Sequence, residues 1–206
     1  MLARLMILML LVTPAAAQEH EHGAMPNEKL GTVSFATSCS PAAQPLFNRA
    51  VALLHSFDFA RSVDGFSATL TADPACAIAH WGIALSRWGN PFAPGVKPAP
   101  QLQLGLQSVT AAAAPAAKTE RERAYLDAVS RLYTDYQRVP QIQRVLAYRD
   151  AMAAVAARYP EDMEASIFFA LSLAVAADPA DKTFVNQLKG GAILERLFVT
   201  HPEHPG

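Results

Sequence analysis

Charge is scarce in this chain, and neither sign dominates. The 17 Lys and Arg residues face 18 Asp and Glu, for a formal net charge of −1. No block of basic residues occurs, which argues against a nucleic-acid partner. Beyond the first residues, no segment free of charge and proline approaches the ~20 apolar residues that a membrane span needs. Aromatic residues make up only 8% of the chain, and β-branched residues seldom adjoin. Alanine is abundant instead, and that balance favours closely packed helices over sheets. Motifs for covalent chemistry are missing as well: there is no G-x-S-x-G, H-E-x-x-H, phosphate-cradling glycine loop or C-x-x-C. The expectation is therefore a protein that is not an enzyme and carries no cofactor.

The N-terminus carries the clearest signal. Met1 to Arg4 forms a short, singly positive start, Leu5 to Val12 is continuously apolar, and Ala15-Ala16-Ala17 offers a small-x-small cleavage pattern. Residues 1–17 thus read as a secretory signal peptide. No cysteine follows the apolar run, so no lipid anchor or stable membrane attachment is expected. The mature chain would begin at Gln18 and reside in the periplasm or outside the cell. Two cysteines, Cys39 and Cys76, are present. An even count in an exported chain suggests a disulfide, and the alternative is two unpaired small core residues.

Residues 18–40 read as a flexible, then extended, N-terminal segment. Residues 18–29 are polar without periodicity, and 30–40 are mixed and β-branched. From residue 41 onward the pattern is helical. Ser40-Pro41 reads as a helix cap followed by proline in the first turn. Apolar residues at helical spacing predict helices over 41–57, 59–72, 76–88, 101–114, 118–133, 140–159, 161–177 and 181–200. Asp73-Pro74 ends the second, and a Pro-rich loop occupies 90–100. Thr119 caps the fifth, and the Glu120, Arg121, Glu122, Arg123 run reads as its solvated first turn. Asp162 and Glu164 read the same way on the seventh, and Gly190-Gly191 is expected to break or loosen the eighth.

A repeat underlies this series. Ala50 and Ala84 stand 34 residues apart at equivalent places in two helices. Between them, Ser62, Phe66 and Thr69 alternate small and bulky, and Pro74 closes the unit. Pro160 and Pro202 close later units, with Ala170 at a further small crossing position. In these stretches, and in TSCSPAAQPLFNRAVALLHSFDF, DPACAIAHWGIALSRWGNPF, KTERERAYLDAV and RYPEDMEASIFFALSL, the chain resembles the tetratricopeptide repeat (TPR) superfamily. More narrowly, it is similar to a group of exported bacterial TPR-containing proteins. The resemblance implies an all-α, TPR-like solenoid of helical hairpins over 41–206. The best-matched repeats lie over 41–89 and degenerate ones over 101–206. It also implies a C-terminal truncation, with further His-containing helices expected to follow. In such a stack the helices that start near Cys39 and Cys76 run side by side, so the resemblance favours the disulfide.

The resemblance further places a ligand groove along the first helix of each repeat, at Gln44, Phe47, Val51, Leu54 and His55, then at Ile78, Trp81, Leu85 and Trp88. This face has almost no charge, so a clamp for acidic C-termini is not expected. The expected partner is an unidentified protein or peptide segment of apolar character, with Trp81 and Trp88 as anchors. The alternative is that these residues are core, covered by the 30–39 arm or by missing helices. A second functional expectation is metal binding. His20 and His22 lie close to the new N-terminus, where an amine and histidines chelate Cu(II) or Ni(II). His201 and His204 supply two ligands to a site that later histidines would complete. His55 and His80 stand too far out of step on neighbouring helices to share an ion.

Overall fold

A computed structural model describes residues 28–113 and 117–206. The expected signal peptide over 1–17, His20 and His22 lie outside the described residues. Eight helices account for the regular structure, and no strand occurs among the described residues: α1 (Gln44–His55), α2 (Phe59–Ala72), α3 (Ile78–Trp88), α4 (Ala99–Ala111), α5 (Glu120–Ser130), α6 (Gln141–Arg158), α7 (Met163–Val175) and α8 (Val185–Thr200). None of them is long and apolar enough to cross a membrane.

Local chemistry sets many of the boundaries. The Asp58 carboxylate caps α2 by accepting the Arg61 N–H at 3.2 Å, and Asp73, ahead of Pro74, turns extended and ends it. Thr119 caps α5 through the Glu122 N–H at 3.1 Å, and Asp162 caps α7 through the Ala165 N–H at 3.3 Å. Gly89 leaves α3 with φ of +70°, a conformation that costs glycine little. Several boundaries differ from expectation by two to four residues; α5 ends at Ser130 rather than 133, and α8 begins at Val185 rather than 181. Residues 40–43 form a turn, so α1 begins at Gln44 with Pro45 rather than Pro41 in its first turn. Helix α8 runs unbroken through Gly190-Gly191. Gly190 faces α7, and a methyl group there would stand 2.9 Å from the Ala170 carbonyl oxygen. Its smallness serves a close helix crossing, at the usual cost in propensity.

Each helix packs on the next, except that α4 and α5 touch only lightly and α3 also lies against α1 and α5. Small side chains mark the crossings. Ala50 and Ala84 are fully buried. The Ser62 hydroxyl donates to the Ala50 carbonyl at 2.9 Å and lies 2.9 Å from the Ser86 hydroxyl. The Tyr133 hydroxyl donates to the Ala84 carbonyl at 2.6 Å, tying the segment after α5 to α3. The core runs between α1, α2, α3, α5 and α7 as an aromatic cluster of Phe47, Phe66, Trp81, Tyr125 and Phe168, with centroid spacings of 5.2 to 6.5 Å.

The arm ahead of α1 completes that core. Phe35 is 1% exposed and packs on Phe47, Trp81 and Tyr125. Without a regular partner strand, the arm satisfies its backbone through side chains. Asn48 accepts the Phe35 N–H, and the Gln44 amide donates to the Phe35 carbonyl. The Ser38 N–H and hydroxyl both donate to the Glu122 carboxylate at 2.6 Å. Arg121 donates to the Ala36 carbonyl and lies over the Phe35 ring, 4.3 Å from its centroid. The first turn of α5 is thus solvated only in part: Glu120 and Arg123 are exposed, but Glu122 is 2% exposed and Arg121 is paired with Asp162. Cys39 and Cys76 are joined in a disulfide with Cα atoms 4.8 Å apart, fastening the end of the arm to the start of α3.

Candidate functional site

Of the residues expected to line a groove, Phe47, Val51, Ile78 and Trp81 are 0% exposed. They lie in the interior, and Phe35 of the arm packs directly on Phe47 and Trp81. The expected open groove therefore does not exist at these four positions. Gln44, the fifth position under the arm, spends its side chain on Thr37 and Phe35. The other four behave differently. Leu54, His55, Leu85 and Trp88 line a cavity of about 190 Å³.

Helix α7 closes the opposite wall of this cavity with Ile167, Phe168, Leu171 and Val175, and Leu132, Val145 and Tyr148 contribute from the α5–α6 region. Most of its lining is apolar. The helix pattern explains the wall: Phe168, Leu171 and Val175 recur at spacings of three and four, so one stripe of α7 faces α1 and α3. Pro205 and Gly206 line the cavity near His55.

At that end three titratable side chains converge. His55 Nε2 lies 2.8 Å from Glu164 Oε2, and His204 Nε2 lies 2.9 Å from Glu164 Oε1. His55 comes from the last turn of α1, Glu164 from the first turn of α7, and His204 from the segment after α8. The His55 ring stacks on Phe168 at 4.9 Å and meets His204 edge-on at 5.1 Å. Burial alone would raise the Glu164 carboxyl, but the charge and hydrogen bonds of His55 and His204 outweigh it and hold the group at about 2. Glu164 therefore serves its two histidines rather than the helix dipole alone. A separate, open cleft that Glu164 helps to line is bordered by Arg121, Arg158, Asp162 and His201, together with Tyr159, Pro160 and Met163.

His201 stands outside the convergent trio. It is exposed, with Nδ1 2.8 Å from the Thr200 hydroxyl. His80 also lies elsewhere, half-buried on α3, where burial lowers its basicity. Sequence reasoning placed His55 in a groove and His204 in an incomplete ligand set, and did not pair them. Glu164 went unrecognised because a carboxylate in a first turn ordinarily faces water. The available signal was its setting, since Glu164 is followed by the apolar run ASIFFALSLAV, which leaves that helix little room for a solvated face.

Comparison of the chain with protein-family models, with curated proteins and with solved structures finds no match.

Proposed function

We propose that this chain is an exported TPR-like helical repeat protein that works as a binding module rather than an enzyme, seating a bulky apolar side chain of a partner polypeptide. Successive helices that pack as neighbours, the additional contacts of α3 with α1 and α5, and the small residues at their crossings support the repeat reading. The cavity is the observation that carries the binding reading. Four of the positions that the TPR resemblance assigns to ligand contact, Leu54, His55, Leu85 and Trp88, line it.

Size decides the class of occupant. A cavity of about 150 Å³ with apolar walls accommodates benzene, so about 190 Å³ suits one aromatic ring or one large aliphatic side chain. It is too small for a drug-sized ligand, which occupies roughly 300 Å³ or more. A single anchor of this kind, set among polar contacts, is how a segment gains affinity from one desolvated pocket.

The test uses peptides that differ at one position, Phe against Ala, titrated into the protein while the methyl signals of Leu54, Leu85 and Leu171 are followed by NMR. Saturable shifts with the Phe peptides alone, abolished in Leu85→Trp, are expected. Equal responses to Phe and Ala peptides, or shifts that survive Leu85→Trp, would overturn the reading.

A further inference from the structure

The apolar cavity uses the flank of His55 but leaves the meeting of His55, Glu164 and His204 without a role, although the fold gathers them from 109 and 40 residues apart. Their side chains are only 5%, 2% and 3% exposed. Removing two imidazoles and a carboxylate from water is costly unless they pair closely or hold an ion. One potential ligand atom from each lies within 4.8 Å of the other two. Tetrahedral zinc, with bonds of about 2.0–2.1 Å, sets its ligand atoms about 3.3 Å apart. The N···O distances of 2.8 and 2.9 Å run to different oxygens of Glu164, so reaching that spacing requires these contacts to open slightly and ligand atoms as far as 4.8 Å apart to close by up to about 1.5 Å.

We propose that His55, Glu164 and His204 form a binding site for one divalent metal ion of the zinc type, with three protein ligands and a fourth position for an exogenous oxygen donor. Two imidazole nitrogens and one carboxylate suit zinc and its first-row neighbours. Calcium and magnesium prefer all-oxygen shells, and Cu(I) prefers sulfur. The His55 ring is already held by the Phe168 face and in turn contacts His204, and support such as that from Phe168, outside the ligand shell, orients metal ligands. An open surface cleft lined in part by Glu164 borders the site.

The proton balance is simple. Each neutral histidine bonded to Glu164 through Nε2 holds a proton there, and ligation through Nε2 moves that proton to Nδ1, so the dication displaces no net proton. Ligation through Nε2 leaves His204 neutral with its proton on Nδ1. The Gly206 N–H, which donates to that nitrogen at 3.1 Å, then turns away.

The full chain, made without an affinity tag and stripped with chelator, is titrated with Zn(II) alone and then with Co(II), whose visible bands report coordination number. One equivalent per chain and a four-coordinate cobalt spectrum are expected. Glu164→Gln and His204→Ala each weaken binding about 100-fold or more, whereas His201→Ala and the double change His20→Ala, His22→Ala leave it unchanged. Failure to take up a stoichiometric ion overturns the proposal. So does uptake that survives His204→Ala, or that is lost with His20 and His22. Glu164→Gln keeps the side-chain shape, and His204 lies outside the helices. Circular dichroism checks that each variant folds, and His204→Ala decides the matter if Glu164→Gln does not.

Discussion

At the scale of single residues, the tightest tolerances lie where two helices need a missing side chain. Gly82 on α3 presses against the Phe66 ring of α2, and a methyl group there would overlap several ring atoms. Phe66 is fully buried, so the ring has nowhere to move. Gly82→Ala is expected to lower stability by about 1–3 kcal/mol, the usual cost of overpacking, as read from urea unfolding. The helix propensity of alanine works in the opposite direction and is smaller. Asp73 illustrates an electrostatic tolerance. The Ser40 N–H, donating at 2.7 Å, leads the interactions that hold its carboxyl below the ordinary 3.8. A carboxyl depressed in the folded state contributes stability above its unfolded value and loses it as pH falls towards the folded one. Melting temperature should thus fall on acidification from about pH 6 to pH 3 by less in Asp73→Asn than in the native chain. An equal or larger fall in the variant would show that Asp73 does not contribute.

At the scale of elements, the arm and the disulfide act together on α3 and α5. Reducing the Cys39–Cys76 bridge, which spans 37 residues of sequence, is expected to cost about 4 kcal/mol by chain entropy. A melt of the Cys39→Ser, Cys76→Ser double variant measures this directly. Glu122→Gln should release the arm without touching the bridge, because it weakens two charge-assisted bonds from Ser38. Its cost should be about 1.5–3 kcal/mol, accompanied by a change in Trp81 fluorescence as Phe35 loosens. These elements also show what the sequence made legible. Helix α2 matches its expected bounds, 59–72, because Asp58 and Pro74 act within a turn of the ends they define. The whole set of eight helices was legible from the helical spacing of its apolar residues. The roles of Glu122 and Glu164 were not. A first-turn carboxylate looks alike whether it faces water or a partner, and here the partners are 84 and 109 residues away. Gly190 misled in the same manner, since a helix break and a close crossing leave one signature in the sequence.

At the scale of the whole molecule, one flank stands out as apolar and bare. On and beside α8, Phe184, Val185, Leu188, Phe198 and Val199 are 53 to 81% exposed. A patch of that kind promotes association. Light scattering should show reversible self-association that rises with concentration and is much reduced by Leu188→Glu with Phe198→Glu. Unchanged association in that variant would place the sticky surface elsewhere. The arm has a consequence of a different sort. Helices α1 to α4 gather contacts from near neighbours in the chain, and such contacts form quickly. Phe35 and Ser38 cannot find their places until α5 has docked, because their partners Tyr125 and Glu122 arrive with it. Late, long-range docking slows folding. In an oxidising compartment, a bond between Cys39 and Cys76 made before that moment would hold the base of the arm near its seat, shortening the search. The bridge would then set the pace of the last folding step, so the reduced protein should acquire protected amides over 32–38 well after its helices have formed.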